Sequence, residues 1–434
     1  MKTILLSLYF FISISAYSQK VNKYIKEKDV SRIIKTLSAD EMMGRSALKP
    51  ELIAKASAFI ENEFQKIGLT PMKGNNGFRQ EFQKEKINPL SLEVTIDGEK
   101  IMDDNLVLAS EKMEINIDKG LAIKSIDFDK DAPNKDQYFF DKAFSLVRDT
   151  TSALVLVASE FQSKFKEFKG FLNRRLANGR KSTKIFVLGK SKVSSYLVKA
   201  KQRTTSIRMN NLVGILEGKT KPAELVVFSS HYDHIGIQKA VNGDSIANGA
   251  DDDASGTTAV IELARYFKKL KNNNRTLIFV AFTAEEIGGY GSQHFSKQMD
   301  ADKVVAMFNI EMIGKASKWG KNHAFVTGFE RSDFGTILQR FLEGTPFQIH
   351  SDPYPEQDLF YRSDNATLAR LGVPAHSIST DQIDSDKLYH SVDDEFESMD
   401  ISNITNTIKA IALSARSIVD GTDTPKRIDK AAVR

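Results

Sequence analysis

The sequence predicts an α/β fold: a mostly parallel central sheet with helices on both faces, interrupted by a smaller strand-rich domain. Three observations lead there. From about residue 206 onward, apolar runs such as NLVGIL, ELVVF, TLIFVAF and MFNI alternate with segments of helical periodicity. The runs are short and nearly continuous, as in strands covered on both faces. Acidic residues and histidines gather just after the runs, and sheets of this kind carry their sites at strand ends.

The chain has 434 residues, 41% of them hydrophobic, enough for one large domain and a smaller one. Its first eighteen residues hold Lys2, an apolar stretch over 4–14, and Ala16, Tyr17 and Ser18 before Gln19. That pattern is a secretory signal peptide, so the expected product is exported, to the periplasm or the outside. No later segment reaches the roughly 20 apolar residues of a membrane span. The chain has no cysteine, which excludes disulfides and thiolate ligands, so any metal must be held by His, Asp and Glu. A net charge of +5 is small beside 27% charged residues and gives no sign of a nucleic-acid partner.

Residues 19–89 read as the helical start of the main domain. Val30, Ile33, Ile34 and Leu37 share one helical face, Ala54, Phe59, Ile60 and Phe64 another, and Gly68 ends the second helix. Over 90–205 the pattern changes to short strands, SLEVTIDGEKI, ALVLVASEF and KIFVLGKSKVSSYL, with a hairpin signal at Asp97-Gly98. This is the expected inserted domain. Its basic stretch, 164–184, interleaves Phe165, Phe168, Phe171 and Leu172 at helical spacing and reads as an amphipathic surface helix. Residues 206–420 form the expected catalytic domain, and 421–434 a tail.

The run 225–228 leads through two serines to His231 and Asp233, two apart and therefore on one strand face, with His234 turned to the other. A loop with Asp251, Asp252 and Asp253 then enters a helix over 257–270 opened by Ser255. The run 277–282 delivers Glu285 and Glu286, consecutive carboxylates that diverge, so that one can hold a metal while the other addresses water. Glu311 follows the strand 307–310, and His390 follows Tyr389 near the C-terminus. His231, Asp251, Glu286, Glu311 and His390 thus fall on one rim of the expected sheet, enough for two zinc ions that share a carboxylate.

The motifs HYD, GADDDASG, TAEE, IEMIG and YHSVDD occur in an order that resembles the cocatalytic dizinc aminopeptidases, a family of metallopeptidases. The resemblance covers about 206–420 and the N-terminal helices. It implies that His231, Asp251 and Glu311 hold one zinc and Asp251, Glu286 and His390 the other, with Asp251 bridging and a cis peptide between Asp251 and Asp252. It also implies Glu285 as general base, Tyr389 as a donor to the oxyanion, and Asp233 as the group orienting His231. Asp252 and Asp253 read as loop and cap residues, and His376 as a buried structural histidine.

Two positions depart from the family pattern. Glu311 stands where Asp is commoner, and Asn365 closes a Ser363-Asp364 segment that usually ends in His. The inserted domain resembles protease-associated domains. The expected function is removal of N-terminal residues from peptides. The alternatives are a glutaminyl cyclase with one zinc, a carboxypeptidase-type hydrolase with Arg362 as carboxylate anchor, and a metal-free receptor-like scaffold.

Overall fold

The structure is a computed structural model that describes residues 20–434 except 76 and 175; the expected signal peptide lies outside the described residues. The chain forms two compact units, one made of the residues up to Phe82 together with Met209–Arg434, the other of Gln83–Arg208.

The first unit is built on a central sheet. The strand Lys221–His231 runs parallel to Arg275–Phe282 on one side and to Val304–Ile310 on the other. Val304–Ile310 pairs in parallel with Ala375–Ser379, which meets His323–Val326 in antiparallel fashion, and that strand pairs in parallel with Gln348–Ser351. Beyond Arg275–Phe282 the strand Tyr196–Leu216 adds an antiparallel edge through its last residues. The sheet is mixed: its central pairings are parallel, and the strands added at its two sides include antiparallel ones. Its three central parallel strands end in register, His231 beside Phe282 and Ser229 beside Asn309, so the residues that follow them emerge on one rim.

Side-chain alternation explains why these runs are apolar throughout. Val226 and Phe228, Leu277, Phe279 and Ala281, and Ala306, Phe308 and Ile310 join the core on one face. That face is covered by the helices Glu27–Leu37, Pro50–Ile67, Gly256–Leu270, Phe334–Leu342 and Ile401–Ser414. Val227, Ile278, Val280, Phe282 and Met307 point the other way, into a core with Phe295 from Tyr290–Gln298 and with Leu368 and Ala369 from Asn365–Ala369. A strand covered twice has no polar face to show, hence the unbroken runs.

The first helix buries Val30, Ile33, Ile34 and Leu37, the expected face. The second ends at Gly68 in the left-handed region, but it buries Ile53, Ala56, Ile60 and Phe64. Ala54 is exposed and Phe59 half-buried, because the inward stripe begins one residue earlier than the sequence reading placed it.

The second unit is less purely stranded than its sequence suggested. Leu106–Ala109, Lys184–Leu188, Ala153–Val157 and Ala122–Ile126 form a four-stranded sheet in that order, and the helices Lys135–Arg148 and Gln162–Arg174 pack on it. Phe139, Ala143 and Val147, four apart, supply the helical stripe that reading passed over. Phe165 and Phe168 of the basic stretch are buried in the same core beside Phe186.

Phe228 lies at the centre of the first unit, stacked on Phe308 and Phe279 with ring centroids 4.8 and 5.5 Å away. Phe228→Ala should therefore destabilise that unit by about 3–5 kcal/mol in urea unfolding, and a loss below about 1 kcal/mol would contradict this packing.

Candidate metal centre

The strand Lys221–His231 ends at His231, and the chain then leaves the sheet, so the alternation that set His231 apart from His234 no longer applies. His231 is buried, with Nε2 at 3.1 Å from Glu311 Oε1 and 3.2 Å from Asp252 Oδ1. Its other nitrogen, Nδ1, faces the main-chain carbonyl of Asp233 at 3.1 Å, and the Asp233 carboxylate only at 3.8 Å. That carboxylate instead accepts the amide of Glu285 at 3.1 Å. Asp233 thus orients the His231 ring through its backbone and the Glu285 segment through its side chain.

Between His231 and His390 lies Asp252. Its Oδ1 faces His231 and its Oδ2 sits 3.3 Å from His390 Nε2. His390 also approaches Glu286 Oε2 at 3.0 Å, and His234 Nδ1 lies 2.7 Å from Glu286 Oε1. Two groups result, His231, Asp252 and Glu311 on one side and His234, Asp252 and Glu286 on the other, each with donor atoms within 4.8 Å of one another. His390 joins the second through its contacts to Asp252 and Glu286.

The expected pivot, Asp251, is not there. Its Oδ1 accepts the amide of Gly314 at 2.7 Å, and its Oδ2 lies 3.3 Å from Lys315 Nζ, which also meets Asp386 at 2.5 Å. Lys315 is therefore the cation of a separate acidic group, Asp251, Asp381 and Asp386. The backbone explains the one-residue slip. Ala250–Ser255 forms a single wide turn with non-helical angles at Asp252 and Asp253, and its cis peptide joins Asp252 to Asp253, where the resemblance had put it one bond earlier. Asp253 faces away from the cleft, accepting the amides of His231, Gly256 and Met312 and tying the turn to two strand ends and the following helix.

Two buried side chains hold that turn. On one side the Asp394 carboxylate accepts the amides of Asp251 at 3.0 Å and Asp252 at 3.1 Å. On the other, Arg45, wholly buried, spends its guanidinium on main-chain carbonyls: Nε on Tyr232 at 2.8 Å, one terminal nitrogen on Leu37 and Asn248, the other on Gly249 and Asp252. Arg45 also accepts the amide of His234 with its own carbonyl at 3.1 Å. The approach is close enough that a Cβ on Gly44, at φ +65°, would lie 2.7 Å from the Ala247 oxygen. The sequence reading missed Arg45; its only signal was a lone Gly-Arg pair amid apolar residues, far along the chain from the motifs.

Glu311 is steadied by Ser363, whose hydroxyl donates to Oε2 at 2.5 Å and accepts from Asn309 at 2.7 Å. Asp364 is buried, and its carboxyl is raised to about 7 by that burial. Asn365 is structural, donating to the Phe360 carbonyl and accepting from Ser377. His376 is likewise a core residue, between Ser332 and the Thr327 carbonyl, and burial lowers it to about 4. Glu285, Tyr389, Arg362, Met312 and Phe325 line one cavity with Asp252, Glu286, Glu311 and His390. Tyr389 stacks on His390 with centroids 3.9 Å apart. Ala284, Met312 and His390, each next to a ligating-type side chain or supplying one, have positive φ of 61°, 48° and 54°, backbone strain of the kind that gathers at functional sites.

The donor set fits cations. Three carboxylates, Asp252, Glu286 and Glu311, converge where like charges repel. Burial alone would push the Asp252 carboxyl up, yet hydrogen bonds from His231 and His390 hold it well below the usual range. The two histidines are raised in turn, His390 to about 10, by Glu311, Glu286 and Asp252 against the opposing effect of burial. Protons on these rings meet the carboxylate charge, and a divalent cation among the same nitrogens and oxygens would displace them. His234 Nε2 is buried with no hydrogen-bond partner, and His234 Nδ1 and Glu286 Oε1 have only each other, as donors to one ion would.

Residues 211–415 match the sequence profile of Peptidase family M28. A protein of Trichophyton verrucosum named "Probable leucine aminopeptidase" is 28% identical over 208 residues, 46% of this chain and 54% of that protein. One of Leptosphaeria maculans named "Probable zinc metalloprotease" is 32% identical over 113 residues, 26% of each. The chain spans about half the length of the first of these curated relatives and about a quarter of the second. Among solved structures, the aminopeptidase from Aneurinibacillus sp. strain AM-1 superposes with a TM-score of 0.59 at 16% identity, over 96% of this chain and 97% of that one. A zinc aminopeptidase from Bacillus subtilis gives 0.55 at 16% identity, over 94% and 99%. These structures share the fold.

Arg45→Met would strand at least four buried carbonyls, and it should cost about 3–5 kcal/mol in denaturant unfolding. Arg45→Lys, with three donors in place of five, should recover part of that loss; a wild-type midpoint for Arg45→Met would refute the clamp.

Proposed function

Because residues 211–415 form a domain of peptidase family M28, we propose that this chain is an exported, zinc-dependent aminopeptidase that hydrolyses the first peptide bond of peptides at a two-metal centre. The observation that carries the reading is the Asp252 carboxylate, one oxygen turned to His231 and the other to His390, with Glu311 and Glu286 flanking it. In this reading His231, Asp252 and Glu311 hold one zinc ion, and Asp252, Glu286 and His390 the other. When bound, the ions supply Lewis-acid charge for the scissile carbonyl and make water a nucleophile near neutral pH. Export rests on the apolar N-terminal stretch before Ala16-Tyr17-Ser18.

Glu285 is the proton carrier of the proposal. Its amide is tied to Asp233, and its side chain lines the cavity beside Glu286 and Glu311. Burial raises its carboxyl well above the usual range; His231 opposes the shift, and Asp364, Glu311 and Glu286 add to it. A carboxylate of raised affinity for protons takes one from the attacking water and returns it to the leaving amine. Tyr389 supplies a hydrogen bond to the oxygen that becomes negative. Burial, with Asp252 and Glu286 nearby, raises its phenol well above the usual value, so it stays a donor. The apolar members of the cavity, Met312, Phe325, Leu359 and Ile383, suit an uncharged side chain on the substrate's first residue.

Three measurements test this. Glu285→Gln should keep its zinc and lose about 10²–10⁴ in kcat, since only proton transfer is removed. Retention of most activity would take Glu285 out of this role. On matched peptides with free and blocked N-termini, the free ones should be cleaved; equal cleavage would sink the aminopeptidase reading. Chelation should abolish activity, with two zinc ions per chain at full restoration. One ion at full activity would favour cyclisation of N-terminal glutamine.

A further inference from the structure

His234 has no part in the centre as proposed so far, yet it is built into its wall. The ring is buried, and its amide is fixed by the Arg45 carbonyl. It occupies space that only glycine leaves free: a Cβ on Gly249 would come within 2.6 Å of the ring. Its Nδ1 stands 2.7 Å from Glu286 Oε1 and 3.8 Å from Asp252 Oδ2, and its centroid 5.8 Å from that of His390.

We propose that His234 is a fourth protein ligand of the second zinc, alongside Asp252, Glu286 and His390. The inference rests on the two-metal reading. His234 Nε2 has no hydrogen-bond partner, and His234 Nδ1 and Glu286 Oε1 have only each other, at 2.7 Å. A buried imidazole and carboxylate oxygen left this way are costly as a pair of polar groups. They are favourable as two donors to one ion: tetrahedral ligands at about 2.0–2.2 Å from zinc stand roughly 3.3–3.6 Å apart, so the pair would part by somewhat under 1 Å on loading.

The donor count then separates the two ions. Four protein donors fill a tetrahedral sphere, the hallmark of a permanently held zinc, whereas His231, Asp252 and Glu311 are three and leave a position open. An ion held by His234, Asp252, Glu286 and His390 would bind tightly and organise the centre, whereas the position left open by His231, Asp252 and Glu311 would serve the chemistry.

The test uses the full chain stripped of metal and titrated with Zn²⁺ against a chelating dye, with X-ray absorption after the first equivalent. Two separated binding steps are expected, with two imidazoles on the ion taken up in the tight step. His234→Gln should weaken that tight step by about 10–100-fold, leave the weak step in place, and reduce the imidazole count of the tightly held ion to one. A single imidazole on the tightly held ion of the wild type, or unchanged affinities in His234→Gln, would overturn the proposal. If the variant fails to fold, the wild-type imidazole count decides. Two zinc ions bound without His234 would leave the two-metal reading standing, whereas no zinc bound by the wild type would remove both.

Discussion

The geometry of the centre depends on how the turn Ala250–Ser255 is held. A turn with three consecutive aspartates has no reason to keep one of them between two histidines, since their mutual repulsion favours spreading into water. Here the peptide groups are gripped from opposite sides. Arg45 draws the carbonyls of Asn248, Gly249 and Asp252, and Asp394 draws the amides of Asp251 and Asp252. A buried guanidinium on the carbonyl end and a buried carboxyl on the amide end meet the peptide groups of one turn; burial raises the Asp394 carboxyl to about 8, and the amides it accepts oppose that shift. The three aspartates are then sorted: Asp251 to Lys315, Asp252 to the cleft, Asp253 to the strand ends.

That sorting marks the limit of what the sequence makes legible. The central strands were readable because burial on both faces requires unbroken apolar runs, and the rim followed from parallel pairing. His231, Glu286, Glu311 and His390 were placed together because each follows a strand or its exit loop directly, so position in the chain fixed position in space. Asp251 and Asp252 are one bond apart in a turn without periodicity, and only the backbone angles decide between them. His234 was misjudged because alternation was extended past His231, where the ladder stops. Arg45 was invisible for a different reason: its partners are carbonyls, which every residue carries, so no pattern of side chains announces it.

The site also shows how one residue can serve two parts of a centre. Asp233 sits two residues from His231 and its carbonyl orients that ring, while its carboxylate holds the amide of Glu285. Any shift of the loop after His231 therefore moves the His231 ring and the Glu285 segment together. Ser363 likewise ties Glu311 to Asn309, two residues back on the strand that delivers it. Such shared supports keep distances between reacting groups constant even if the whole rim breathes.

The stretch that matches the family profile starts at residue 211, and the guanidinium that fixes its turn is at residue 45. The helices Glu27–Leu37 and Pro50–Ile67 belong to the same core as the central strands, with Glu63 joined to both Arg32 and Arg265. The segment recognised by descent and the unit that folds are therefore different objects. A fragment cut at the profile's borders would keep every proposed ligand, and Asp394 with them, and lose the guanidinium that grips the other side of the turn. A search for relatives of this centre should look for the buried arginine upstream as well as for the histidines and carboxylates downstream.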